Sequence, residues 1–387
     1  MILHFVVDEK VTDQIIENFN KANENNSFLV FGNRREENFQ HITKSKDKLI
    51  KFIIGEDDIN KIIKQLDPKA ILLHALHIEY AKAIIKIKTN LTIAWYPWGF
   101  DIYGLPRIKP STYALLTNEF LLKKNPGLFF RRIALKYKFL RKIYFRIDVK
   151  NEDRYSIIFS ALKRVVFFVT YIENDFNVFS SYYTNQMQFV NCPFSTIDQY
   201  LSGNRYVQIE DNAKNILVGN SNSPESNHLD VFKRMSKDNS INDFKIFTPL
   251  SYGNNIEYQS EVLNKGREIL GNSFIPLLKF MKRSDYILLL RSCSVGIFYH
   301  YRQQAMGNII AMLYIGARIY MSSKNPAYHF FKKNEIKIFD FDKDYSRFQN
   351  KRLEDEIIVQ NKRKLGLIFN EEKVLTDIRN LTELLCR

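Results

Sequence analysis

Two loops of this 387-residue chain combine the residue types that chemistry on a polar substrate needs. In Trp95-Tyr96-Pro97-Trp98-Gly99-Phe100-Asp101-Ile102-Tyr103-Gly104 the only two tryptophans crowd beside one carboxylate, a proline and two glycines. Aromatic rings stack on the apolar faces of sugars, and Asp101 could take a proton from a hydroxyl nucleophile. The alternative is that the tryptophans fill the core and Asp101 caps a helix. The second loop follows the apolar run Ile216-Leu217-Val218. Gly219 turns the backbone there, Asn220 and Ser221 leave amide hydrogens at the strand's end, and Ser226 or Asn227 can cap a helix starting near Leu229. Phosphates favour such strand–loop–helix junctions, although a tight turn without a ligand uses the same residues.

Alternating strands and helices must position these loops. Strands are expected at 2–7, 27–31, 49–54, 70–73 and 92–95, with helices at 11–22, 58–66 and 79–88 between them and a polar stretch after Gly32. This spacing predicts a doubly wound, mostly parallel sheet. A strand at 165–169, a helix-like segment and a strand at 188–190 close that domain, and 199–215 reads as a linker. Alternation restarts with strands at 216–218, 244–247, 274–277, 295–298 and 318–321, among helices at 229–235, 256–270, 282–291 and up to Tyr314, and the tail from Leu353 reads as helical. The expected organisation is therefore a first domain over 1–200, a second over 213–352 and a helical tail over 353–387.

Lys and Arg total 57 against 42 Asp and Glu, a net charge of +15. That excess suits a polyanionic partner: nucleic acid, anionic lipid or a phosphorylated substrate. It is concentrated between 123 and 150, where Lys123, Lys124, Arg131, Arg132, Lys136, Lys138, Arg141, Lys142, Arg146 and Lys150 face one acid, Asp148. Ile133, Tyr137, Leu140, Tyr144 and Ile147 recur at helical spacing, so the segment reads as a basic amphipathic helix able to lie in a membrane surface, or as a surface helix packed on its domain. Three cysteines without metal-ligand spacing point to a reducing compartment. No apolar run is long enough to span a bilayer. A cytoplasmic protein, peripheral at the inner face of the plasma membrane, is expected.

Five blocks carry a family resemblance. They are Trp98-Gly99-Phe100-Asp101-Ile102-Tyr103; Ile216 to Ser221 continuing to Ser226, Asn227 and His228; Tyr252-Gly253 with Asn254, Asn255 and Tyr258; Tyr286-Ile287-Leu288-Leu289-Leu290-Arg291-Ser292-Cys293; and Arg302-Gln303-Gln304 with Gly307, followed by Asn325-Pro326. Together they resemble the TDP-N-acetylfucosamine:lipid II N-acetylfucosaminyltransferase (4-α-L-fucosyltransferase) family, bacterial enzymes that build a lipid-linked surface-polysaccharide unit. The resemblance implies a GT-B glycosyltransferase, an α/β fold of two Rossmann-like doubly wound domains facing across a cleft. It also implies transfer of a fucose-like deoxy or acetamido sugar from a nucleoside diphosphate to a polyprenyl-diphosphate-linked glycan.

On that resemblance the donor's diphosphate lies against Gly219, Asn220 and Ser221, and Arg302 offers charge to the leaving phosphate. Gln303, Gln304, Gly307 and Asn308 open a helix whose N-terminus favours phosphate, Tyr252 and Asn255 border the base or ribose, and Asn325 completes the donor set. Trp98, Gly99 and Tyr103 are expected at the acceptor. Asp101 is the first choice of general base, with His74 and His77 behind it. Cationic side chains replace a metal in this reading, so no metal and no cofactor beyond a dTDP-, UDP- or GDP-linked sugar is expected. The partners are the donor, the lipid-linked acceptor and the anionic inner leaflet, with no nucleic acid. A GT-B enzyme with a soluble or protein acceptor, and a non-catalytic basic binding module, are the competing readings.

Overall fold

A computed structural model describes residues 1–9, 11–33, 39, 42–43, 49–204, 206–237, 243–348 and 352–387. The polar stretch expected after Gly32 lies largely outside the described residues. The chain forms two compact units: one of residues 1–109, 130–196 and 371–387, the other of 110–129 and 197–370.

Seven parallel strands form the sheet of the first unit: β1 (Ile2–Val6), β2 (Asn26–Gly32), β3 (Leu49–Ile53), β4 (Ala70–His74), β5 (Thr92–Tyr96), β6 (Phe167–Val169) and β7 (Gln188–Val190), in the order β3-β2-β1-β4-β5-β6-β7. Their side chains alternate between two apolar layers, as the two-residue period of a strand dictates. Leu3 and Phe5 of β1, with Ile71 and Leu73 of β4, meet Ile59, Ile63, Tyr80 and Ile84 on one face. Ile2, Val6, Ala70 and Leu72 meet Ile15, Ile16 and Phe19 on the other, joined by Val374, Ile378, Leu381 and Leu385 of the last helix, Glu371–Cys386. The last seventeen residues thus belong with this unit because their apolar stripe is buried in its core.

The second unit carries six parallel strands, β8 (Asn215–Val218), β9 (Ile246–Pro249), β10 (Phe274–Leu277), β11 (Cys293–Phe298), β12 (Arg318–Met321) and β13 (Phe339–Asp340), ordered β10-β9-β8-β11-β12-β13. β9 starts two residues later than the apolar run suggests, where Ile246 pairs with both Ile216 and Phe274. The helix Met306–Ile315 is buried nearly all round, which is why its sequence is apolar on every face. Residues 110–129, expected in the first domain, cluster here. Asp230 accepts from the first-turn amides of Leu116 (2.8 Å) and Thr117 (3.0 Å) in the helix Leu115–Lys124, and Asn227 Oδ1 accepts from Ala114 N at 2.8 Å. Asn227 is therefore occupied across the fold and makes no side-chain cap to the helix His228–Met235.

The basic segment is not one helix. It runs as Leu128–Lys136, breaks at Tyr137 in an extended conformation, and resumes as Lys138–Tyr144 followed by a π-helical turn, Phe145–Val149. The expected single stripe is accordingly split, and apolar side chains lie exposed along the whole segment: Phe129 is 55% exposed, Phe130 74%, Phe139 73% and Ile147 68%. Arg141 departs from the basic face, since it is buried and paired with Asp153 at 2.9 Å. Among the described residues no helix is long and apolar enough to cross a membrane.

Candidate active site

In the second unit sequence order reverses between β8 and β11, so their carboxyl ends diverge into loops on opposite faces of the sheet. That is where open α/β sheets bind ligands. Asn220, after β8, ties the two loops together: its Oδ1 accepts from His300 Nε2 at 3.1 Å and from Gln304 Nε2 at 2.8 Å, both after β11. Gln304 Nε2 also donates to Ser221 Oγ at 3.2 Å. The loop after β9 joins them, because Asn222 N donates to the Tyr252 carbonyl at 2.6 Å. Two glycines permit this convergence. Gly219 has φ +69°, and a Cβ there would lie 2.5 Å from His228 Nε2, while at Gly253 (φ +111°) it would lie 3.0 Å from the Asn222 carbonyl oxygen.

Arg302 is half-buried beside this junction. Its only described hydrogen bond is from Nη1 to the Gln303 carbonyl at 3.3 Å, and no carboxylate pairs with it among the described residues. An unneutralised guanidinium at a strand's carboxyl end is suited to a phosphate. Three residues on, Ala305 holds φ +62° as the helix Met306–Ile315 begins, with Gly307 exposed in the first turn. An alanine in that region costs about 1–2 kcal/mol, and such strain clusters at functional loops.

Other residues expected at the donor have structural duties. The Gly219 amide donates to the Ile297 carbonyl at 2.9 Å, so it is unavailable to a diphosphate. Asn255 caps the helix Ile256–Leu270 by accepting from Tyr258 N at 2.9 Å. Asn308 Nδ2 donates to Tyr286 Oη at 3.0 Å, and buried Asn325 caps the helix Pro326–Lys333 through Ala327 N at 2.9 Å. Tyr252 keeps an exposed ring. A cavity of about 610 Å³ opens at the opposite, amino ends of β8 and β11, lined by Lys214, Asn215 and Ser292 among others. None of the expected site residues reaches it.

The first unit also reverses order, between β1 and β4. Asp101 is buried near β4 and β5, and both its oxygens are committed. Oδ2 accepts from Leu76 N (2.9 Å) and Trp95 Nε1 (2.8 Å), and Oδ1 from Trp98 N (3.0 Å). Burial pushes its pKa up while these donors hold it down. The carboxylate thus anchors the 95–104 loop. His74 is fully buried, with Nε2 3.0 Å from His4 Nδ1, and burial drives its pKa well below the usual histidine value. It is a core histidine too. Tyr103 is buried, donating to Asp175 Oδ1 at 2.6 Å, so it offers no face to an acceptor.

His77 differs. It is half-exposed at the start of the helix Ile78–Lys86, its ring against Tyr80 and Phe100, and its Nε2 is buried without a hydrogen-bond partner. Burial lowers its pKa, which leaves the imidazole neutral at pH 7. Ala75, just before it, takes φ +68°. Trp98 is partly buried on the core with Nε1 unpartnered, and Gly99 turns the chain at φ +90°. Sequence reasoning gave His300 and Asn222 no role, though a histidine directly after the buried strand β11 was a signal. His4 and Asn26 were missed because only strand pairing reveals their contact, His4 Nε2 to Asn26 Oδ1 at 3.0 Å.

Comparison with known proteins matches this molecule to the family described as 4-alpha-L-fucosyltransferase glycosyl transferase group 56, over residues 147–376. Among solved structures, sucrose-phosphate synthase from Thermosynechococcus elongatus is similar with a TM-score of 0.65 at 8% identity, covering 99% of this chain and 98% of that one. A trehalose-6-phosphate structure from E. coli bound with UDP-2-fluoro glucose gives 0.61 at 10%, covering 100% and 99%. Anabaena HepE in complex with UDP and glucose gives 0.60 at 10%, covering 99% and 98%. Those likenesses show the fold, two parallel Rossmann-like sheets of the GT-B glycosyltransferase type. The family match extends over more than half of the sequence, and the chain belongs to the 4-alpha-L-fucosyltransferase family, glycosyl transferase group 56, as a glycosyltransferase.

Proposed function

We propose that this glycosyltransferase moves a fucose-like deoxy or acetamido sugar from a nucleoside diphosphate to a polyprenyl-diphosphate-linked glycan of bacterial surface-polysaccharide biosynthesis. On the donor side, the unpaired guanidinium of Arg302 supports a diphosphate beside the β8 and β11 loops. The amides of Asn220 and Ser221 and the N-terminus of Met306–Ile315 add positive potential. Together they stabilise the charge that grows on the leaving diphosphate, in place of a metal ion. Similar folds solved with UDP ligands support a nucleotide-linked donor. On the acceptor side we assign proton removal to His77, half-exposed and neutral at pH 7, while Asp101 anchors the loop that carries Trp98 and Gly99.

The lipid-linked acceptor rests on one observation: the segment 123–150 exposes Phe129, Phe130, Phe139 and Ile147 among lysines and arginines that no comparable number of acids balances. Basic residues near an anionic leaflet contribute about 1 kcal/mol each, and buried aromatics add more. The protein therefore works peripherally at the inner face of the plasma membrane. The test is transfer of labelled sugar to a polyprenyl-diphosphate glycan in phosphatidylglycerol vesicles, against a water-soluble glycan, by wild type and by a Phe130→Ser, Phe139→Ser variant. Vesicle-dependent transfer that the variant loses supports the reading. Equal use of the soluble glycan by both proteins refutes it.

A further inference from the structure

The junction of the β8 and β11 loops has a chemical polarity that a phosphate site does not need. Asn220 Oδ1 accepts from Gln304 Nε2 and from His300 Nε2, so the His300 proton sits on Nε2. His300 is fully buried, and that burial together with the Arg302 charge keeps it neutral. Its Nδ1 is therefore a bare lone pair, and it is buried without a partner. In the same two loops, Gln303 Oε1, Gln304 Oε1 and Asn222 Oδ1 are likewise buried acceptors without a donor. Each such atom carries a desolvation cost, and buried polar groups in folded proteins are nearly always satisfied. A diphosphate cannot satisfy them, since its oxygens only accept.

We infer that His300, Gln303, Gln304 and Asn222 form a subsite for the hydroxyl- and N–H-bearing part of the donor next to its diphosphate, with His300 as a specificity-determining residue. The inference rests on the proposed donor site. Arg302 takes the charge and the four acceptors take the donors, dividing one junction into an anion-binding and a hydroxyl-binding half. Two parts of a nucleotide sugar present that chemistry, the transferred sugar and the ribose.

Calorimetric titration of UDP-glucose, GDP-fucose and dTDP-glucose, each beside its free nucleoside diphosphate, tests this on wild type, His300→Phe and Gln303→Leu. Phe keeps the ring and removes the lone pair, and half-exposed Gln303 can be changed even if the core variant does not fold. Loss of one ligand hydrogen bond should weaken binding about tenfold. Weakening confined to the nucleotide sugar identifies the sugar as the occupant, and equal weakening of the nucleoside diphosphate identifies the ribose. Either supports the subsite. Wild-type binding that survives both substitutions unchanged overturns it, whereas a wild type that binds none of the six ligands overturns the donor site itself and the inference with it.

Discussion

Replacing Asp101 separates two roles that sequence alone could not distinguish. Asp101→Asn keeps the shape but puts an NH2 group against a donor: against Trp98 N if the remaining oxygen keeps Leu76 N and Trp95 Nε1, or against those two if reversed. The milder arrangement loses one charge-assisted bond and leaves a buried amide facing another donor, costing about 2–3 kcal/mol. For a unit of this size that corresponds to a drop in Tm of roughly 5–10 °C. Asp101→Ala strands all three donors and should cost more. Melting by circular dichroism, paired with transfer rates well below Tm, reads both quantities. An anchoring carboxylate predicts a lowered Tm and a rate that falls little once the protein is folded. An unchanged Tm with a rate loss of about 10²-fold or more, the size expected of a general base, would refute the reasoning.

Other outcomes follow from the same geometry. His77→Gln should lower kcat by about 10²–10³-fold with KM nearly unchanged, and should abolish the acidic limb of the pH–rate profile, which burial places below pH 6.5. A limb that persists in the variant contradicts His77 as base. Gly219→Ala combines positive φ with a Cβ 2.5 Å from His228 Nε2, and should cost about 2–4 kcal/mol in urea unfolding. An unchanged midpoint would mean the loop yields. Acid should destabilise the fold early, because His4 is held down to about 4 by burial. Above pH 6.5 both states are neutral and nothing is lost. As pH falls below 6.5 the unfolded chain takes a proton that the folded chain refuses, about 2 kcal/mol by pH 5 and about 3 by pH 4 for His4 alone. A flat urea midpoint from pH 8 to 5 contradicts buried neutral histidines.

Local signals carried the secondary structure well. Ile256–Leu270 and Arg318–Met321 were legible to the residue, one from its helical period and the other from a short apolar run after Gly316. Gly219 was legible as a turn, but the use of its amide by Ile297 depends on how β8 pairs with β11. Asp101 looked chemically available because Leu76, one of its donors, lies 25 residues away. The break at Tyr137 interrupts a stripe whose spacing is otherwise helical, and no glycine or proline marks it. Residues 110–129 and 371–387 reveal their unit only through contacts with Asp230 and with the β1–β4 core, which no composition change in the chain announces.

The central claim is that a nucleoside diphosphate sits beside Arg302. Thermal shift with UDP, dTDP and GDP, with and without Mg²⁺, on wild type and Arg302→Ala tests it most directly. A ligand at 100 times its Kd adds about 2.7 kcal/mol to the folded state. The account predicts a rise in Tm with one of the three, unchanged by Mg²⁺ and lost in the variant. A wild type that none of them stabilises at millimolar concentration, or a rise that Arg302→Ala keeps in full, would contradict it.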